Sequence, residues 1–434
     1  MEPSDGADDE DDDEDDDEDD DEDDEDDGDG GADRATGARY DMARTSIGHY
    51  VAADPGSGRG AARRHDTVGG PVRVGITIGG QHPFDGTAMQ LQLAEAIGAE
   101  SVWFPDHILG VFHPGLWPDM AYSKMAADPD AFYDPFVVSG VIGRMTDKAV
   151  GISVTDTARR KAADLARTAL TLQHMCPGGF VLGVGSGEAE SLVTFGYDFS
   201  TPVAECEKVL HELRSLLDTG RMPEDMGLSG RMGIPLESDK GKPQVWVAGH
   251  GPRMLRLTGQ YGDGWIPAWP MTPEEYGQKG RTIDEWAAKS GRSCATKSLL
   301  PFVMLGQSKE YIADLMEKDP LGKLFALFCP ADRWAKHGYQ HPFGEDCKGF
   351  IDLIVHDLDP EELRALAPEM PFELVEEVVF LGNADDVAER MSGYAANGMN
   401  HVVLANLTGV VGGMEEIEAN LPQFIQLKGM LDGM

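Results

Sequence analysis

Eight short apolar runs separated by stretches of helical spacing constrain this chain more than any other feature. They are 72–78, 101–104, 149–154, 180–184, 245–247, 265–267, 299–305 and 401–404. Near-continuous apolar runs of this length read as strands buried on both faces. Between them, Met89, Leu93 and Ile97 share one helical face before a Gly98 stop, as do Leu165, Ala169 and Leu172, and Cys206, Val209, Leu210, Leu213 and Leu217. Strands alternating with amphipathic helices give a parallel sheet covered by helices. Eight of them over residues 72–434 suit a closed α/β architecture, the (β/α)₈ TIM barrel, better than an open sheet. The surplus length falls at 305–376, between strands seven and eight, and is itself helical: Ser308 can cap 309–318, and Asp359-Pro360 starts another helix. An insertion of this kind on a barrel is a candidate lid.

Charge is distributed unevenly. Of 77 acidic residues, 24 lie in residues 1–33, which hold no base, so residues 34–434 set 53 acids against 36 bases, a formal −17 out of −41. The 1–33 segment is expected to be a disordered acidic leader, because it repels itself and has no apolar surface to bury. Residues 34–71, rich in Gly, Ala and Arg, read as a flexible linker, and 72–434 as the barrel. Net acidity argues against nucleic acid as a partner, and no run approaches the roughly 18 apolar residues of a membrane span. Five scattered cysteines without a C-x-x-C pair suit a reducing cytoplasm and exclude a zinc knuckle.

In a barrel the carboxyl ends of the strands form the active face. Strand two runs into Asp106-His107, strand three into Ser153-Val154-Thr155-Asp156, strand four into Ser186-Gly187-Glu188, and strand five into Gly249-His250-Gly251. Each group taken singly has a structural use, such as capping a turn. Their convergence on one rim points to chemistry. The stretch Gln244–Pro267 reads as an anion-gripping unit: a strand, a Gly-His-Gly turn, and a helix opening at Pro252, whose free N–H groups and dipole favour phosphate. His337 and His341 stand four apart like metal ligands, but Gly338 and Pro342 spoil a regular helix there, so no metal is expected.

The motifs Asp106-His107, GISV at 151–154, LGVGSGE at 182–188, VWVAGHGP at 245–252, GDGW at 262–265 and FLGNADDVAERM opening at 380 are shared with a known family. From about residue 72 onward the chain resembles the luciferase-like monooxygenase superfamily, in the branch that uses the deazaflavin coenzyme F(420). AGHGPRMLR at 248–256 and WAKHGYQHPFG at 334–344 are similar to the phthiodiolone ketoreductase type. The resemblance implies a (β/α)₈ barrel, a homodimer, and a deazaflavin lying across the strand ends. It also implies cofactor contacts from Asp106, Ser153, Val154 and Gly187, with a non-proline cis peptide at Ser153–Val154. Gly249, His250, Gly251 and Arg253 would hold the phosphate and tail, His107 would be the catalytic acid/base, and Glu188 its partner.

The reaction expected from the resemblance is hydride transfer between the deazaflavin and a carbonyl or secondary alcohol, with proton transfer from a group such as an imidazole. The alternative is a monooxygenase that activates oxygen with FMN. Sugar-phosphate dehydrogenases of the branch place bases after strand six and before the final helix. Here those regions read Ala268-Trp269-Pro270-Met271 and Glu376-Glu377-Val378, so a small uncharged, partly apolar substrate is expected. Phe112, Trp269, Met271 and His337 are the candidate pocket residues, with Trp103, Trp117, Met120 and Met125 as further apolar groups.

Overall fold

The computed structural model describes residues 71–268 and 270–434. The leader, nearly all of the linker, and Trp269 lie outside the described residues.

Ten strands form the sheet: β1 (Arg73–Thr77), β2 (Ser101–Phe104), β3 (Ala149–Asp156), β4 (Phe180–Gly185), β5 (Gln244–Val247), β6 (Gly264–Trp265), β7 (Thr296–Leu299), β8 (Phe302–Leu305), β9 (Val379–Gly382) and β10 (His401–Asn406). Every ladder is parallel, the order is β1-β2-β3-β4-β5-β6-β7-β10-β8-β9, and β1 pairs with β10 to close the barrel. The expected barrel is therefore present, with two differences in detail. The run read as strand seven is two pieces: β7 pairs with His401 and Val402, and β8 pairs with Ala405 and Asn406. The break falls at Leu300-Pro301, where proline has no N–H to give the ladder; the Pro301 carbonyl instead accepts from Ala405 N at 3.0 Å. The second difference is β9, a strand outside the closed barrel that pairs only with β8, Val379 opposite Phe302 through Gly382 opposite Leu305.

The barrel interior is solid. Trp103 and Trp246 meet at 4.9 Å between ring centroids with their planes tilted by 36°, His401 lies edge-on 4.9 Å from Trp246, and Ile266 and Val403 complete the cluster. Room for the indoles comes from missing side chains: a Cβ on Gly151 would stand 2.4 Å from the Trp103 ring. Burial lowers the His401 ring well below its usual range, and its Nδ1 lies 2.9 Å from Ser298 Oγ. A ligand is thus confined to the rim above this plug.

The insertion is helical, as expected. It contains Lys309–Lys318, a 3₁₀ stretch Pro320–Phe328, Ala331–Lys336, Pro360–Leu366 and Phe372–Val378. Ser308 accepts from Tyr311 N, Asp359 from Glu361 N and Glu362 N, and Asn383 forms a capping box with Asp386 on the helix Ala384–Ala396. It packs against the loop after β2 through Phe112, whose ring meets Phe325 edge-on at 5.2 Å.

Candidate active site

The β3 end sets the geometry. The ladder to β4 shifts between Ile152 and Thr155, which pair with Leu182 and Val184, so Ser153 and Val154 together face the single residue Gly183. The Ser153–Val154 peptide is cis, as the family resemblance implied. Only glycine fits opposite: a Cβ on Gly183 would lie 2.0 Å from the Ile152 carbonyl oxygen and 2.8 Å from Val154 Cγ1. This bulge holds Ser153 at the mouth with a buried hydroxyl that has no protein partner, a property shared by Thr77 Oγ1 at the end of β1.

Asp106 is buried and saturated. Its Oδ2 accepts from Thr155 Oγ1 at 2.6 Å and from Arg160 Nε at 2.9 Å, and Arg159 Nη2 stands 3.4 Å from Oδ1. Arg159 also donates to the Asp106 carbonyl at 2.8 Å and is paired with Asp156, while Arg160 reaches Asp134 at 2.9 Å. These partners make the Asp106 carboxylate an anchor that fixes the backbone carrying His107.

His107 is half-buried, with its ring 6.0 Å from that of Phe132. Ile108 N donates to Ser191 Oγ at 3.4 Å, tying the His107 loop to the helix Ala189–Val193 that begins beside Glu188. Burial pushes the Glu188 carboxyl above the usual range, and the charge of His107 is the leading influence in the other direction. His107 is thus near enough for its charge to act on the Glu188 carboxyl. A carboxyl held up by burial can keep a proton that the neighbouring imidazole gains or loses. Gly187 adopts φ 94°, which lets the chain turn into Glu188.

Across the mouth, β5 ends in the Ala248–Gly251 turn. Ala248 N donates to Val184 O at 2.8 Å, Trp265 Nε1 to Gly249 O at 2.9 Å, and Lys279 Nζ to His250 O at 2.7 Å. A Cβ on Gly249 would stand 2.6 Å from Met254 Cβ, whereas one on Gly251 would meet nothing within 4 Å. The helix Pro252–Tyr261 starts there with Pro at its first position and no side-chain cap. Burial, helped by Lys279, takes the His250 ring down to about 4, so it is neutral at pH 7. Open space before an uncapped helix start, backed by an ammonium, suits an anion.

Other expected residues sit elsewhere. Arg253 forms an ion pair with Glu207 at 2.6 Å, beside Arg256 on the same carboxylate. Phe112 and Met271 are buried, Phe112 packed between Trp117 and Phe325, and Trp117 donates to Ala126 O at 2.7 Å. Trp103 belongs to the barrel plug. His337 pairs with Glu377 at 3.0 Å inside the insertion, and His341 is buried against Leu327 O at 3.0 Å. Among the described residues there is no group of three or more His, Cys, Asp or Glu able to hold a metal. Lys279, Thr155, Arg159 and Arg160 went unassigned in the sequence. The Thr155-Asp156-Thr157-Ala158-Arg159-Arg160 run directly after strand three was the available signal for three of them.

The sequence model of the family described as luciferase-like monooxygenase matches residues 67–401. The chain belongs to this family. It is 32% identical over 352 residues to a phthiodiolone/phenolphthiodiolone dimycocerosates ketoreductase of Mycobacterium tuberculosis, covering 78% of this chain and 92% of that one. In structure it is similar to an F(420)-dependent secondary alcohol dehydrogenase in complex with an F(420)-acetone adduct, with TM-score 0.60, 19% identity, and coverage of 83% of this chain and 99% of the other. The F(420)-dependent tetrahydromethanopterin reductase of Methanopyrus kandleri gives TM-score 0.61 at 16% identity, with coverage of 82% and 98%. At these identities the two structures speak for the barrel alone.

Proposed function

We propose that this protein is an F(420)-dependent oxidoreductase that interconverts a ketone and a secondary alcohol. The observation that carries the reading is the strand-end arrangement, with His107 after β2, the Ser153–Val154 bulge on β3, Glu188 after β4, and an uncapped helix start with an ammonium behind it after β5. The names of the ketoreductase and secondary alcohol dehydrogenase relatives support the same reaction class.

The residues present fit a deazaflavin. The unpartnered hydroxyls of Ser153 and Thr77 offer hydrogen bonds at the strand ends, and the Gly249–Gly251 turn with Lys279 offers an anion site for the tail. The deazaflavin supplies or accepts the hydride when bound. The chain supplies the proton: as hydride reaches the carbonyl carbon, negative charge develops on its oxygen, and the His107 ring donates to that oxygen. Glu188, whose carboxyl feels the charge of His107, would compensate the positive form of the ring. In the reverse direction His107 takes the hydroxyl proton. The sequence Ala268-Trp269-Pro270-Met271 contains no base, which favours an uncharged substrate over a phosphorylated one. The free cysteines suit a reducing cytoplasm.

Titrating the protein with oxidised F(420) and with FMN, and following quenching of each fluorophore, tests the cofactor. Reduced F(420) plus simple ketones then tests the reaction through return of the oxidised deazaflavin absorbance. Binding of F(420) with ketone-dependent oxidation is expected; FMN binding with oxygen uptake would replace the proposal with monooxygenase chemistry.

A further inference from the structure

The insertion delivers a titratable side chain to the point where two barrel loops meet. His356, in the short turn Val355–Asp357, stands between two carboxylates from different loops. Its Nδ1 lies 3.1 Å from Glu190 Oε1, and its Nε2 lies 3.0 and 3.1 Å from the two Asp130 oxygens. A neutral imidazole has a single N–H and could donate to one carboxylate only. Both contacts are satisfied together by the imidazolium. The site is largely enclosed, with side-chain exposures of 15% for His356, 6% for Glu190 and 22% for Asp130.

Each carboxylate leads back to the candidate catalytic pair. Asp130 Oδ1 accepts from Gly110 N at 2.6 Å, three residues beyond His107, and the Phe132 ring flanks His107 itself. Glu190 follows Glu188 by two residues on the helix that Ser191 ties to Ile108. The bridge therefore spans the loop after β2 and the loop after β4 at the point where they carry the two groups.

We propose that His356 is a positioning residue: by bridging Asp130 and Glu190 it fixes the separation and orientation of His107 and Glu188. This rests on the reading that His107 and Glu188 carry the proton chemistry. Burial pulls the ring down, but the hydrogen bonds from Asp130 and Glu190 outweigh it and take it up to about 9. The other charged groups around it are His113, whose ring is 6.1 Å away, Asp359 facing His113, and Glu188 beyond Glu190. The folded value lies above the ordinary 6.5, so the bridge contributes fully below that pH and is lost as pH rises through about 9.

The test compares the full-length wild type with His356→Gln and His356→Lys. Misplacement of reacting groups costs up to about a hundredfold, so His356→Gln is expected to lower kcat by about tenfold or more. Its affinity for F(420), set mainly across the mouth, should stay within about twofold, given that the variant touches none of that turn. Wild-type kcat should fall as pH passes about 9, and that limb should disappear in His356→Gln. His356→Lys, which keeps a cation, should recover part of kcat at neutral pH. Hydrogen exchange at 108–110 and 190–193 should quicken in His356→Gln, and in the wild type above pH 9 after correction for intrinsic rates. Unchanged kcat, pH profile and exchange in His356→Gln would overturn the proposal. If the wild type reduces no ketone, the functional reading fails by itself, and the exchange experiment alone still decides whether the bridge holds the two loops.

Discussion

The two sides of the barrel mouth are built on different principles. On the β2–β4 side, placement depends on side-chain charge: Asp106 saturated by Thr155, Arg159 and Arg160, His107 facing Glu188, and Asp130 and Glu190 joined through His356. On the β5 side it depends on backbone: a turn pinned by three hydrogen bonds to its main chain and an uncapped helix start. Charged networks position a proton closely but fail when one partner is removed. Backbone cradles bind anions whatever the surrounding side chains, and fail only when the chain path is disturbed.

The largest expected effect separates the two sides. His107→Ala should cost about 10²–10⁴ in kcat/KM and leave F(420) affinity within about threefold, because no β5 contact changes. Parallel loss of affinity, followed by fluorescence, would mean that the two sides are not independent. Asp106→Ala should be the most damaging to the fold. It removes a carboxylate only 2% exposed that Thr155, Arg159 and Arg160 share; Asp156 and Asp134 still hold the two arginines, and losing hydrogen bonds to a buried charged group costs about 1.5–3 kcal/mol. Denaturant unfolding measures it, and a loss under about 1 kcal/mol would demote the network to a surface arrangement.

On the other side, Gly249→Ala should weaken F(420) binding by about tenfold or more with kcat at saturation little changed, since an added Cβ must displace Met254 and with it the turn. A kcat effect larger than the affinity effect would break the contrast. Acidification should act here too. The His250 ring is held down to about 4, below its ordinary value, so its contribution to stability is complete above about pH 6.5 and is lost as pH falls toward 4. His250→Gln should flatten the fall in melting temperature between those values. The smallest effect belongs to Arg253→Ala: its guanidinium is already paired with Glu207 and half exposed, so affinity should change by less than about threefold.

Much of this was legible beforehand, for reasons that differ by residue. Strands β1, β3, β4 and β10 follow from apolar runs, and Ser308 and Asp359 cap the helices their positions suggested, because these are local effects. The position of His107 after β2 and of Glu188 after β4 followed from the apolar runs that precede them. What was missed is non-local. Four residues define β9, and its partner β8 lies some 75 residues earlier in the chain. Lys279 meets His250 across 29 residues of separation. Phe112 and Met271 are buried, and apolar type alone does not tell which side of a loop faces the protein. The break at Pro301 was visible, since proline inside a strand run argues against a continuous ladder.

The splitting of the seventh barrel position into β7 and β8, with β9 hooked beside β8, carries a consequence for the ancestry of the molecule. The chain leaves the barrel at Leu305 and returns at Val379 on the adjoining strand, so everything between is a detachable cassette hung on one hinge point of the sheet. Barrel closure between β1 and β10 does not depend on it. Exchange or resizing of that cassette offers a route by which descendants of one barrel acquire new substrates, provided that a group bridging Asp130 and Glu190 as His356 does comes with it.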